Sequence, residues 1–271
     1  ILHNSMSTLR PNILFMLSDD HATEAVGAYR ERLAPWAQTV RIDRLASQGI
    51  LAERYFVTTS LCSPSRASII TGRYAHSHGV LGVGIYSLLK QDENPSLPAE
   101  LQAAAGYETA LFGKWHLHGD SGGGKRRYPG AEKTWQAPRG FSTFNIVRGL
   151  GKYRTPIMYE GEFAESNAKE HSGHSSEVFA KLAIGWLEGT WKRPRARPPP
   201  FALFVHFRGV HEPWQFPERL QSMHDGVSVD DWPLPPSAGN ATCSGSDSGV
   251  RAGDNGITLN NLAKRMEKSR R

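Results

Sequence analysis

One stretch of the chain combines a thiol with the features of a helix start. It runs from Cys62 to Gly72 and reads CSPSRASIITG. Pro64 suits the first helical position, Ser63 can cap the free amides, and Gly72 is typical of a helix stop. Cys62 would then lie at a helix N-terminus, where unpaired N–H groups and the helix dipole favour an anion.

Arg66 lies about one turn further into this predicted helix and can direct several N–H donors towards the same place. Together with Cys62 it would hold a tetrahedral oxyanion beside a reactive side chain. The alternative is that Cys62 is an inert, buried side chain beside a capped helix, which is the usual state of a free cysteine.

Polar residues follow three runs that predict buried strands. The runs are Ile13–Leu17, Glu108–Phe112 and Phe201–Phe207. The polar residues are Asp19 and Asp20 after the first run, Lys114 and His116 after the second, and His211 after the third. Open α/β sheets bind ligands at this end of their strands, which indicates one shared site. Lys114 and His116 are two residues apart, so both can reach that site only if the backbone leaves regular pleating there.

The remaining pattern predicts an α/β fold. Helical spacing and end signals predict three further helices, at Val40–Gly49, Ser96–Ala105 and Ser176–Glu188. Ile50–Val57 is interpreted as another strand, so strands and helices alternate, as in a largely parallel sheet covered by helices. Residues 118–175 are interpreted as a long irregular excursion that shapes substrate access.

Composition narrows the function. The 271 residues include 32 Lys and Arg against 26 Asp and Glu, and the formal charge of +6 favours anionic partners. Only two cysteines occur, which excludes a disulfide framework, and no Cys/His zinc spacing is present. No apolar run reaches the roughly 18 residues that span a membrane. The basic clusters accompany no recognisable helix or aromatic platform for reading nucleic acid, so neither a membrane nor a nucleic acid is expected as a partner.

Four blocks resemble the formylglycine-dependent sulfatases of the alkaline-phosphatase-like superfamily. They are Asn12–Asp20, Cys62–Gly72, Gly106–His116 and Phe201–Trp214. They stand in the family's order and cover residues 11 to about 220, although Val210 replaces the usual proline. The resemblance implies the alkaline-phosphatase-like α/β fold, with a largely parallel central sheet flanked by helices and with the family's C-terminal part missing. The implied organisation is an extension at 1–10, the catalytic domain at 11–224, and an irregular tail with the start of a truncated helix at 225–271.

The resemblance also implies a role for each polar residue. A separate formylglycine-generating enzyme would oxidise Cys62, whose hydrated aldehyde provides an oxygen nucleophile. Arg66 would hold this group, and Lys114 would contact a sulfate oxygen. His116 would bond a hydroxyl of the hydrate and help to release sulfate as a base. His211 would contact sulfate and protonate the leaving alcohol.

The same resemblance implies a metal site. Asp19, Asp20 and Cys62 as formylglycine would bind Ca²⁺, with Mg²⁺ as the weaker candidate. Asp254 and Asn255 have the letters of the family's second ligand pair, but the glycine-containing residues 248–253 cannot form the buried strand that should precede them. A coincidence is therefore the favoured interpretation. Two carboxylates alone should bind Ca²⁺ weakly, because this ion takes six to eight oxygen ligands.

The function predicted from these residues is sulfuric ester hydrolysis, with a sulfated carbohydrate or an aryl or alkyl sulfate as substrate. Two alternatives stay open: a phosphonate or phosphate ester hydrolase of the same superfamily, and a truncated, catalytically silent domain that binds anionic glycans. Family precedent implies a secreted, periplasmic or lysosomal protein, although residues 1–10 do not form a signal peptide. The oligomeric state is not predicted.

Overall fold

A mixed β-sheet forms the centre of the larger of two units. The computed structural model describes residues 10–119, 136–161, 165–191 and 199–227. Within these residues the sheet has six strands: β1 (Ile13–Leu17), β2 (Glu108–Lys114), β3 (Thr143–Val147), β4 (Ile157–Glu160), β5 (Ala168–Glu170) and β6 (Phe201–His206). Their order is β1-β6-β2-β3-β4-β5. The first four strands in this order are parallel, β4 is antiparallel to β3, and β5 is antiparallel to β4.

Helices cover the two faces of this sheet. The helices of this unit are α2 (Cys62–Thr71), α3 (Ala75–His78), α4 (Leu97–Ala105) and α5 (Ser175–Trp191), whereas α1 (Val40–Gln48) belongs to the smaller unit. Side chains alternate along each strand, so Phe204 joins the apolar cluster that contains Ala67 of α2, while Leu203 joins the cluster that contains Phe179 of α5. Parallel strands with both faces covered match the predicted α/β class.

The predicted strands and helices are confirmed at nearly all positions, with ends shifted by a few residues. The strand predicted at Ile50–Val57 is wrong, because these residues form no regular element. Ile50 is 96% exposed and Phe56 is 83% exposed. A strand requires a neighbouring strand for its backbone hydrogen bonds, and no strand among the described residues pairs with this run.

The interpretation of residues 118–175 as wholly irregular is also wrong, since β3, β4 and β5 lie within this range. These strands have only five, four and three residues, and all three residues of β5 are exposed. A strand this short and this exposed shows no apolar alternation, so its sequence pattern does not distinguish it from a loop.

The smaller unit comprises residues 21–55 and 210–271. Its described part contains α1 and three short 3-10 turns, at Thr23–Ala25, Gly27–Tyr29 and Glu218–Leu220. Asp43 of α1 accepts hydrogen bonds from the Ala28 amide and the Thr39 hydroxyl, at 2.8 and 2.9 Å, and these bonds fix the turn before the helix. None of the helices in the described residues is both long and apolar enough to cross a membrane.

Candidate active site

Cys62 lies at a helix N-terminus, as the sequence predicts, although it is itself the first residue of α2 and the helix begins two residues before Pro64. Leu61 precedes it in an extended conformation and accepts the first helical hydrogen bond, from the Ser65 amide at 2.9 Å. Gly72 ends the helix with a φ of 68°, in the left-handed region that glycine adopts without strain. The thiol is half-buried and lies where helix N–H groups favour a negative charge.

Ser63 differs from its prediction as the helix cap. It lies inside α2, and no side chain caps this helix. Its hydroxyl instead donates to the carbonyl of His116 at 2.8 Å. The helix begins earlier than Pro64 suggests, so Ser63 faces inwards and binds the segment that follows β2.

Arg66 lies one turn into α2 and is almost fully buried. Its Nη1 donates to the carbonyl of Lys114 at 2.7 Å, and its Nη2 lies 3.4 Å from Oδ2 of Asp19. Burial lowers the pKa of the guanidinium, while the charges of Asp19 and Cys62 oppose this effect. Arg66 therefore connects the helix that carries Cys62 with the ends of β1 and β2.

Lys114 ends β2 and is completely buried. Its Nζ donates to Oδ2 of Asp19, so one carboxylate faces both cationic groups. Burial lowers the pKa of Lys114, and the charge of Arg66 lowers it further, whereas Asp19 and Cys62 raise it. Two buried cations beside one thiol provide the positive surroundings that a tetrahedral oxyanion requires.

The backbone leaves regular pleating at the end of β2, which is the condition for Lys114 and His116 to reach one site. Gly113 has a φ of 105°, and a Cβ atom at this position would lie 2.1 Å from the carbonyl oxygen of His206. His116 has a φ of 59°, which is uncommon for a residue with a side chain. Such strain is concentrated at functional sites. The His116 side chain is buried, next to the residues that contact α2.

The acidic pair after β1 divides into one buried and one exposed residue. Asp19 is buried, and its amide donates to the carbonyl of Gly209 at 2.9 Å. Asp20 is exposed and has a φ of 57°. His211 belongs to the smaller unit, where its Nδ1 lies 2.8 Å from the carbonyl of Glu212. The roles predicted for all three residues stay predictions.

A divalent metal fits the type of donor that the site offers, although the number of donors is small. Carboxylate oxygens are the ligands that Ca²⁺ and Mg²⁺ prefer, and Asp19 and Asp20 provide them. Within the described ranges, no three His, Cys, Asp or Glu side chains come together as a group that could hold a metal ion. Asp254 and Asn255 lie outside these ranges.

The sequence pattern did not identify His206. It is the last residue of β6, is buried, and has Nδ1 at 3.2 Å from Nη1 of Arg66. Burial, followed by the charge of Arg66, lowers the pKa of His206 to about 3. The only signal in the sequence is a histidine inside an otherwise apolar run.

Arg208 was missed as well. Its guanidinium lies 4.4 Å from the ring centroid of Tyr153 and donates to the carbonyls of Leu150 and Gly151. Burial lowers the pKa of Arg208, while Tyr153 and Asp19 raise it. Arg208 thus fixes the loop after β3 close to the acidic end of β1.

Comparison with known proteins gives a consistent result. The family model described as Sulfatase matches residues 11–233. An N-acetylglucosamine-6-O-sulfatase of Bacteroides thetaiotaomicron is 31% identical over 210 residues, which are 76% of this chain and 32% of the relative. The chain therefore spans about a third of that relative's length.

Solved structures show the same likeness. The structure of BT4656 in complex with its substrate, D-glucosamine-2-N,6-O-disulfate, matches with a TM-score of 0.68 and 28% identity, over 86% of this chain and 40% of that chain. A phosphonate monoester hydrolase of Agrobacterium radiobacter shares the fold, with a TM-score of 0.56 and 21% identity over 83% of this chain and 45% of that chain.

Proposed function

The chain belongs to the sulfatase family, with the mixed α/β fold of the alkaline-phosphatase-like superfamily, and we propose that its site hydrolyses a sulfate ester through Cys62 in the form of formylglycine. The observation that carries this proposal is the position of Cys62 at the start of α2. Arg66 lies one turn further along the same helix, and it shares the carboxylate of Asp19 with a second buried cation, Lys114. A separate formylglycine-generating enzyme would convert the thiol.

The conversion explains the choice of residue. A hydrated aldehyde would supply an oxygen that attacks the sulfur of the ester, and a second hydroxyl whose deprotonation releases sulfate. Lys114 and Arg66 are placed to neutralise the charge that develops on the sulfate oxygens. The attacking hydroxyl would lose its proton to solvent as its oxygen bonds to sulfur, and the S–O bond to the alcohol would break as His211 donates a proton to the departing oxygen. His116 would then accept the proton of the second hydroxyl while the C–O bond to sulfate breaks, and a water molecule would hydrate the regenerated aldehyde.

Ca²⁺ is the proposed metal, with Mg²⁺ as the weaker candidate. Asp19, Asp20 and the modified Cys62 would hold it, and the bound ion would supply positive charge at the sulfate group. The carboxylate of Asp19 already faces Lys114 and Arg66, so it is the residue that joins the metal site to the cationic groups. Asp254 and Asn255 would contribute ligands only if they occupy the place of the family's second ligand pair, which their sequence resembles.

The proposed substrate is a sulfated carbohydrate. The relative named N-acetylglucosamine-6-O-sulfatase and the glucosamine disulfate complex of BT4656 support a sulfated amino sugar in particular. The excess of basic residues over acidic ones agrees with an anionic substrate.

The test is the release of sulfate from glucosamine 6-sulfate by the chain and by two cysteine variants. Cys62→Ala should abolish release, while Cys243→Ala should retain it. Intact-mass analysis should show the conversion of one thiol to an aldehyde, and this conversion should be lost only in the Cys62 variant. Full activity of Cys62→Ala would contradict the proposal.

Two alternatives are decided by related measurements. The first measurement compares hydrolysis rates on a sulfate, a phosphate and a phosphonate ester of the same phenol, because the chain shares its fold with a phosphonate monoester hydrolase. A preference for either phosphorus ester would favour a phosphonate or phosphate ester hydrolase. The second measurement is calcium titration, because no group of three or more metal-binding side chains lies together among the described residues. An unmodified thiol together with no calcium binding would favour a silent domain that binds anionic glycans.

A further inference from the structure

His206, Arg66 and Lys114 form a buried triangle at the end of β6. Nδ1 of His206 lies 3.2 Å from Nη1 of Arg66 and 3.2 Å from the carbonyl oxygen of Lys114. Nη1 of Arg66 also donates to that carbonyl at 2.7 Å. One ring nitrogen therefore lies within hydrogen-bond distance of a group that only donates and of a group that only accepts.

The protons of this triangle can be assigned. A neutral imidazole has one N–H, and Nδ1 can contact the guanidinium only through its lone pair. If Nδ1 instead carried the proton and donated to the carbonyl of Lys114, it would offer no lone pair to the charged Nη1 of Arg66, which lies 3.2 Å away. A hydrogen bond from a charged donor is stronger than a neutral one, which favours the tautomer with the proton on Nε2.

We propose that neutral His206, with its proton on Nε2, is a positioning residue that orients the guanidinium of Arg66. The inference depends on the proposed function, because Arg66 is placed there to neutralise charge beside Cys62. His206 and the carbonyl of Lys114 both accept from Nη1, and they leave Nη2 directed at Asp19.

The surroundings hold the ring in this role. The imidazole packs edge-on against Phe15, with centroids 5.9 Å apart, and against Phe204, with centroids 6.1 Å apart. Burial and the charge of Arg66 lower the pKa of His206 to about 3, so the ring is neutral at pH 7.

Stability alone does not explain a histidine at this position. Nε2 of His206 is buried and has no hydrogen-bond partner among the described residues. An apolar ring would pack against Phe15 and Phe204 without burying an unpaired polar atom, which is unfavourable. The acceptor at Nδ1 is the property that an apolar ring lacks.

The first experiment reads the tautomer directly, by the ¹⁵N shifts of the histidine ring nitrogens in the whole chain at pH 7. Two buried histidines serve as internal references. His78 accepts from the Val80 amide at Nδ1, and His118 accepts from the Gly149 amide at Nε2, so they represent the two tautomers. His206 should match His78, and a match with His118 would overturn the proposal. In Arg66→Met the preference of His206 for the tautomer with the proton on Nε2 should weaken or reverse, because the guanidinium that donates to Nδ1 is absent.

The second experiment measures kcat and KM for sulfate release. His206→Phe keeps the ring packing and removes the acceptor, and it should lower kcat by about ten- to a hundredfold with a smaller change in KM, as expected for a misplaced charged group. His206→Gln offers an amide oxygen and should recover part of the loss. The double variant His206→Phe with Arg66→Ala should be no slower than Arg66→Ala alone. If the loss of kcat in the double variant equals the product of the losses in the two single variants, the positioning role is overturned.

The two experiments separate this inference from the proposed function. If the unsubstituted chain releases no sulfate, the proposed function fails, and the ring shifts still decide whether His206 accepts from Arg66. If sulfate is released and His206→Phe is as active as the unsubstituted chain, the function stands and the inference fails.

Discussion

Two neighbouring strands, β1 and β6, have similar sequences and different surroundings. They are parallel partners, with Leu14 opposite Leu203 and Met16 opposite Val205. Leu203 is 1% exposed, whereas Leu14 is 50% exposed. Among the described residues, β6 has β1 and β2 on its two sides, while β1 has only β6. An apolar run thus predicts a strand, but its burial depends on partners that are distant in the chain.

The same contrast separates the ends of the two strands. β6 is held within the sheet along its whole length and ends in the buried His206. β1 has one neighbour, and Asp19 beyond its end binds Lys114 of β2 and Arg66 of α2. β1 packs Phe15 against the core on one face only, whereas β6 is packed on both faces, and we infer that charge at the site contributes to fixing the edge strand.

The largest effect should follow from removal of this charge. Asp19→Ala leaves two buried cations without their carboxylate, and loss of one partner from such a group costs about 3–5 kcal/mol of unfolding free energy. Urea denaturation of the chain measures this loss. Asp20→Ala is the matched control, because an exposed side chain should change stability by less than about 0.5 kcal/mol. Equal losses in the two variants would show that Asp19 does not anchor β1.

The next effect concerns the interior of the sheet. Gly113→Ala places a Cβ atom 2.1 Å from the carbonyl of His206 at a φ of 105°, so β2 and β6 must separate at the site. Overpacking together with backbone strain should cost about 3 kcal/mol. Gly72→Ala is the control, since its φ of 68° is also positive but no atom lies within 4 Å of the added Cβ. The control should lose only about 1 kcal/mol, and a similar loss in both variants would exclude the close contact as the cause.

The sequence predicted the parts of this site that depend on local signals. Pro64 and Gly72 predict a helix beside Cys62, although its first residue is Cys62 rather than Pro64, and the strands of the sheet centre follow from apolar runs. Ser63 was assigned wrongly because its partner, His116, lies 53 positions away. His206 was missed because its partner, Arg66, lies 140 positions away, and a single histidine in a strand gives no indication of such a contact. Long-range pairing is set by packing, and no motif records it.

A pair of leucine variants tests the comparison of the strands themselves. Leu203→Ala removes a buried side chain and should cost about 2–5 kcal/mol, whereas Leu14→Ala on the adjacent strand should cost less than about 1 kcal/mol. Both variants remove the same atoms, so the difference between their denaturation midpoints, at equal slope, reports burial alone. Equal losses would mean that Leu14 is as well covered in solution as Leu203.

The smallest effect is a pH dependence that arises at the end of β6. Burial lowers the pKa of His206 to about 3, so below pH 6.5 the unfolded chain binds a proton that the folded chain does not. Stability should therefore fall with decreasing pH, by up to about 1.4 kcal/mol per pH unit, until the pH approaches the folded pKa. Between pH 6.5 and 5, the chain should lose roughly 1–2 kcal/mol more than His206→Gln, which has no group that titrates there. His78 and His171 also have lowered pKa values, but they contribute equally to both proteins and cancel. If the unfolding free energies of the chain and of His206→Gln change in parallel with pH, His206 is already accessible to protons at neutral pH. The end of the interior strand would then be no better protected than the end of the edge strand.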